Sequence, residues 1–176
     1  MAFYGWPFSQ CQSNPLAEQF SLGVRVVDIR IVIVNDVLRL YHGATDEQGT
    51  FDDVLQATIA YLKSPAGKSE TVVMSIQQEA SFISPSPLFE GTVKAAIDAT
   101  REMWFLDNRV PTLGEVRGKI VLFSRFGSGV GWENGLDGMG IHPPIWTDSA
   151  MDGFSFQLKD TAVRVQDWWV LLTLFW

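Results

Sequence analysis

Helical and extended periods alternate along this chain, and that alternation limits its fold more than any other feature. Thr50 to Lys63 sets Phe51, Val54, Leu55, Ile59 and Leu62 at helical spacing, behind a capping-box pattern of Thr50 and Asp53. Ser64-Pro65 ends that helix. Glu70 to Ile76 follows as a buried-looking β run. Phe89 to Trp104 is a second helical segment, with Phe89, Val93, Ile97 and Trp104 on one face, and Lys119 to Phe126 is another apolar strand. Apolar strands separated by amphipathic helices predict an α/β sheet of mainly parallel order. Upstream, Leu22 to Val34 and Val37 to Tyr41 read as strands joined at Asn35-Asp36, a hairpin or a closely linked pair. Pro15 opens a short helix through Leu16 to Gln19. Phe154 to Leu158 and Ala162 to Trp169 are further strands, whereas Ser81 to Pro87, Pro111 to Arg117 and Gly127 to Gly140 are loops.

The length of 176 residues suits one domain or part of one. It is shorter than the ~250 residues of a typical eight-fold β/α barrel. The formal charge of −7, from 13 basic and 20 acidic residues, argues against a nucleic-acid partner and against tight docking on anionic membrane. Cys11 is the lone cysteine and His42 and His142 the two histidines, so neither an intrachain disulfide nor a Cys- or His-rich metal site is expected. The first residues lack the pattern of a signal peptide. The apolar end, Trp168 to Trp176, falls short of the ~20 residues that span a bilayer. No signal peptide or transmembrane helix is expected in this chain, and its compartment stays open. Gly127-Ser-Gly-Val-Gly131 has no Lys at the phosphate-loop position and reads as a plain loop.

Three residues stand out chemically: Asp28, Arg30 and His42. Strand alternation puts Asp28 and Arg30 on one face with Val24 and Val26, and His42 on one face with Leu38 and Leu40. Each run therefore begins apolar and ends polar on the same face. In parallel β/α barrels chemistry sits at the carboxyl ends of strands. An acid, a permanent cation and an imidazole gathered there suit work on a phosphate. Taken singly, each has the ordinary explanation of a strand leaving the core.

The ordered motifs Gly23-Val-Arg-Val-Val-Asp-Ile-Arg30, Tyr41-His-Gly43, Glu70-Thr-Val-Val-Met-Ser-Ile-Gln-Gln-Glu79, Leu113 to Phe126 and Val165-Gln-Asp-Trp168 resemble the X-domain of phosphatidylinositol-specific phospholipase C, in its small bacterial and fungal form. The resemblance runs from about Tyr4 to Trp169. It implies a distorted TIM-type β/α barrel, here incomplete, with residues 1–176 as a single partial domain and 170–176 as an aberrant apolar tail. It implies a phosphoric diester hydrolase in which the inositol 2-hydroxyl attacks phosphorus and diacylglycerol leaves. His42 then corresponds to the general acid, Arg30 to the cation on the phosphoryl oxygens and Asp28 to the residue that orients them. With Arg30 where calcium-dependent relatives carry acidic ligands, the site is expected to need neither metal nor other cofactor. The expected partner is an inositol phospholipid or another phosphodiester lipid, met through transient contact with a membrane surface.

The same resemblance implies a head-group pocket of Arg125, Asp167, Glu79, Trp146 and Asp148. Gln77 stands where bacterial members have a Lys, and Trp169 where they have a ring-stacking Tyr. The family's Gly-Thr-His-Asp segment, with its general-base His, is expected to lie ahead of Met1, and the Asp that orients that His beyond Trp176. On that expectation the chain by itself is inactive or impaired. The alternative is a non-catalytic remnant that binds an inositol-like head group or a protein partner. A glycerophosphodiester-type barrel is disfavoured, since the chain has neither a His-Arg-Gly start nor a Glu-Asn pair.

Overall fold

The computed structural model of the chain describes residues 12–79 and 86–167. Cys11, the core of the Ser81 to Pro87 loop, Trp169 and the 170–176 tail lie outside the described residues. A helix, α1 (Leu16–Ser21), leads into β1 (Val26–Val34). Pro15 caps α1 rather than entering its first turn, and its carbonyl accepts from the Glu18 and Gln19 amides at 3.0 Å each. Strand β1 turns at Asn35 and Asp36, both at positive φ (50° and 63°), into the antiparallel β2 (Val37–His42). Two successive left-handed residues make the tight hairpin turn whose twist matches that of the strands, and Asn and Asp tolerate that backbone.

A further strand, β3 (Thr45–Thr50), is one that its Asp-Glu-Gln-Gly composition does not announce. It forms by pairing on β2, supported by Arg39 Nε on Asp46 Oδ2 at 3.1 Å; pairing at a sheet edge here outweighs weak β propensity. Next comes α2 (Phe51–Lys63), with the reciprocal Thr50–Asp53 capping box in place. The Thr50 hydroxyl and amide both donate to the Asp53 carboxylate and hold its pKa below the usual range.

The parallel part of the sheet adds β4 (Val72–Gln78), β5 (Trp104–Phe105) and β6 (Ile120–Ser124), with α3 (Phe89–Asp98) between β4 and β5. Helix α3 stops six residues before Trp104, where a helix to Trp104 was expected. A 3-10 turn (Arg101–Met103) returns the chain to the sheet, and Trp104 pairs with Ile120 as an edge strand. A short helix, α4 (Leu113–Val116), replaces the expected loop there. Its capping box, Thr112 with Glu115, is visible in the sequence. The strand order is β3-β2-β1-β4-β6-β5, an open six-stranded sheet. β7 (Phe154–Leu158) and β8 (Thr161–Val165) form a separate hairpin.

The sheet has two unlike faces. Val27, Ile29, Ile31, Met74, Ile76, Ile120 and Leu122 point to the main core, shared with Phe20, Phe51, Leu55, Val93 and Ile97 from the helices. The other face starts apolar, with Val73, Val121 and Phe123 under the β7–β8 hairpin, where Phe156 and Leu158 are buried with Phe105 and Ile141. The strand alternation carries this second face towards Ser75, Gln77 and Arg125 at the carboxyl edge.

Candidate active site

On this second face the register sets Asp28 beside Ser75, and Arg30 beside Gln77. The Asp28 carboxylate gathers three donors. Ser75 Oγ donates to Oδ1 at 2.8 Å, Arg125 Nη1 reaches the same oxygen at 3.4 Å, and Arg30 Nε donates to Oδ2 at 3.3 Å. Arg30 Nη1 lies 3.4 Å from Glu79 Oε2, and Glu79 in turn accepts from the Gly43 amide at 3.4 Å. Burial works against the charge on Arg30, yet Asp28 and Glu79 outweigh it and raise its pKa further above neutrality. Glu79 has a side chain only 6% exposed and ties the middle of β1, which runs on to Val34, to the turn that follows β2.

His42 arrives by another route than a parallel strand end. β2 runs antiparallel to β1, and Ile31 pairs with Leu40. Continuing that register brings His42 back to the level of Ile29, between Asp28 and Arg30 in height. It lines a cavity of about 400 Å³ along the free edge of the first half of β1, together with Asp28, Arg30, Tyr41, Gln12 and Glu47. By alternation His42 shares the face of Ile29 and Leu40 rather than that of Asp28 and Arg30, and the three meet only as lining of this cavity at the free edge of β1.

Arg125 extends the site in the other direction. Its side chain is 8% exposed, its guanidinium carbon sits 3.8 Å from the centre of the Trp146 ring, and Nη2 lies 3.8 Å from Asp148 Oδ1. Burial is the largest influence on Arg125 and lowers its pKa; Asp28 opposes this, and Arg30 adds to it. Arginine remains charged at neutral pH all the same. Trp146 meets Phe123 and Phe154 edge-on, and its indole N–H donates to Asp167 Oδ2 at 3.0 Å. A second cavity of about 310 Å³ opens against Gln77, Arg125, His142, Trp146 and Asp148.

Asp28, Arg30, Glu79, Arg125, Asp148, Trp146 and Asp167 therefore form one connected chain of contacts. His42 and Gln77 line its two cavities, and Trp169 lies outside the described residues. Sequence reasoning passed over Ser75, though its place in Val72-Val-Met-Ser-Ile-Gln-Gln78 sets it between Val73 and Gln77 on the polar face. It also gave no role to His142. Among the described residues no three His, Cys, Asp or Glu side chains gather as a metal-ligand set.

An open β/α sheet with a carboxylate–guanidinium network at its carboxyl edge defines the class: an α/β protein of the barrel type with its polar site at the strand ends. Residues 5–126 match the family model of the phosphatidylinositol-specific phospholipase C X domain, so the chain belongs to that family. It is 29% identical over 124 residues to the 1-phosphatidylinositol phosphodiesterase of Listeria monocytogenes, covering 67% of this chain and 37% of that protein. The solved structure of the Listeria monocytogenes phosphatidylinositol-specific phospholipase C superposes with a TM-score of 0.57 at 29% identity, over 66% of this chain and 42% of that one. A Staphylococcus aureus phosphatidylinositol-specific phospholipase C, solved in a study of its membrane binding, matches with a TM-score of 0.70 at 25% identity, over 90% of this chain and 53% of that one. These relatives are barrels; the present sheet is the same architecture left open. The chain spans well under two thirds of the length of each.

Proposed function

We propose that this chain forms the phosphoryl- and head-group-binding part of a phosphodiesterase for phosphatidylinositol or a related inositol phosphodiester, working without a metal ion. The observation that carries this reading is the placement of Arg30. Its guanidinium is shared between Asp28 and Glu79 at the carboxyl edge of the sheet, beside the cavity that His42 lines. A guanidinium stays charged and offers forked donors, which suits two phosphoryl oxygens whose charge grows in the transition state. Asp28 keeps Arg30 and Arg125 in register. His42 protonates the departing diacylglycerol oxygen as the inositol 2-hydroxyl attacks phosphorus. Arg125, Trp146, Asp148 and Asp167 face the polyol, with Gln77 as a further contact. Ile145 lines the same cavity and is 67% exposed, an apolar point for brief contact with the lipid surface.

The attacking hydroxyl also needs a proton acceptor. No described residue is assigned that part, and the chain by itself is expected to be impaired. This same point favours the second reading, in which the site binds a head group without turnover. The deciding measurement is release of cyclic inositol phosphate from phosphatidylinositol, by the chain and by a form preceded by the family's Gly-Thr-His-Asp segment. Turnover that rises with the added segment, survives a calcium chelator and disappears in His42→Ala supports the catalytic reading. Chelator-sensitive turnover, or turnover indifferent to His42, rejects it.

A further inference from the structure

His142 is fixed more firmly than a residue in an irregular loop needs to be. The preceding Ile141 bridges to the edge of β6, donating to the Leu122 carbonyl at 2.8 Å and accepting from the Ser124 amide at 2.9 Å. The His142 amide donates to Asn108 Oδ1 at 3.0 Å. On the ring, Nδ1 lies 2.9 Å from the hydroxyl of Ser124, a residue with no solvent exposure. The ring lines the 310 Å³ cavity, and Nε2 has no hydrogen-bond partner among the described residues.

The remaining wall has matching properties. Gln77 Oε1 and Arg125 Nε, both on residues that line this cavity, are buried without hydrogen-bond partners. Buried polar groups left unpaired are costly, and neither atom is open to the cavity as it stands, so an occupant gains these bonds where the Gln77 or Arg125 side chain turns towards it. The charge of Arg125 is already balanced by Asp28 and Asp148. An occupant meeting this wall is therefore uncharged where it touches it and rich in hydroxyl groups.

We propose that His142 is a head-group-binding residue, its Nδ1 anchored by Ser124 and its Nε2 accepting a hydrogen bond from a hydroxyl of an uncharged polyol ring in this cavity. This role presupposes the head-group reading above. The charged groups around the ring are Glu90 from α3, Arg125 at the end of β6 and Asp148 in the following loop. Burial lowers the His142 pKa, and the Ser124 backbone and Glu90 only partly offset it. The ring is accordingly neutral at pH 7; in the tautomer this role requires, Nδ1–H donates to the Ser124 hydroxyl, Nε2 keeps its lone pair for a donor, and acid converts that acceptor into a donor.

The test is titration of the folded chain with myo-inositol, followed by NMR, with glycerol 3-phosphate as a second probe. An Asn amide stands in for Nδ1 and a Gln amide for Nε2. His142→Asn should therefore keep the Ser124 contact and bind myo-inositol about threefold to tenfold more weakly, the range of one neutral hydrogen bond. His142→Gln should recover most of that loss. In the unaltered chain, myo-inositol should lower the apparent pKa of His142, and affinity should fall as acid below the ordinary imidazole range protonates the ring. That arm needs no variant and decides the matter if either substitution unfolds the chain. Binding of myo-inositol that ignores both His142 and pH overturns the role of His142 and leaves the head-group reading intact. Binding of glycerol 3-phosphate alone, or of neither probe, overturns the head-group reading and the role of His142 with it.

Discussion

The two faces of the β1–β4–β6 sheet are made from alternate residues of the same strands, yet they hold different chemistry. Towards the helices, Ile31, Met74, Ile76, Ile120 and Leu122 are fully buried and make only apolar contacts. One residue along, Asp28, Arg30, Ser75 and Arg125 form a polar network between two cavities, one of them lined by Gln77. The core face is insensitive to which polar groups stand opposite it, because each strand presents its two sets independently. Stability and site chemistry are thus separable at single-residue spacing, and neighbouring substitutions should give opposite phenotypes.

The sharpest way to break this separation is Arg30→Ala. In a form of the protein that turns over phosphatidylinositol, the rate should fall by roughly 10²–10³, the usual loss when one charge-stabilising donor is removed. Thermal unfolding should change far less, because Asp28 keeps Ser75 and Arg125, and Glu79 keeps the Gly43 amide. A large loss of stability would show that the network holds the fold together as well.

The converse experiment is Ile76→Ala, on the core face between Ser75 and Gln77. Removing a fully buried Ile should cost about 2–5 kcal/mol in urea unfolding, while Ser75→Ala next to it should cost about 1 kcal/mol. Equal losses would mean that the two faces are not energetically distinct. Away from the sheet, Thr50→Ala should destabilise by about 1 kcal/mol by removing the α2 cap, with no effect on head-group binding.

The smallest effect concerns acid. Arg109 Nη2 pairs with Glu115 at 2.6 Å, and that bond first, then those from Thr112, hold the Glu115 pKa down to about 2. Its pKa is depressed on folding, so its contribution is complete above the unfolded value of about 4.3 and is lost as pH falls towards 2. The difference in melting temperature between the chain and Glu115→Gln should narrow over that window and be flat above it. Glu115 is fully exposed, so the shift should be small and should shrink with salt.

The core face was legible in the sequence because its signals are periodic. α2 announces itself by spacing and capping box, and β1, β4 and β6 by apolar runs. What escaped depends on neighbours rather than on local pattern. β3 is a strand only because β2 lies beside it. Trp104 fits a helical face by spacing, yet serves the sheet edge because Ile120 offers it backbone partners. At the site, Asp28 and Arg30 were visible as polar residues in an apolar run. That Arg125 joins them, and that Ser124 fixes His142, are consequences of strand order, which no window of sequence contains.

The hairpin between β1 and β2 has one more consequence. Its two-residue turn sets how far β2 travels before His42 comes level with the acid and the cation. An extra residue between Asn35 and Asp36 would slide His42 by about 3.4 Å and, with period-two alternation, aim it at the opposite side. The turn is therefore a length gauge for a group more than five residues away. Insertions at Asn35-Asp36 should therefore be incompatible with function even where the strands still pair.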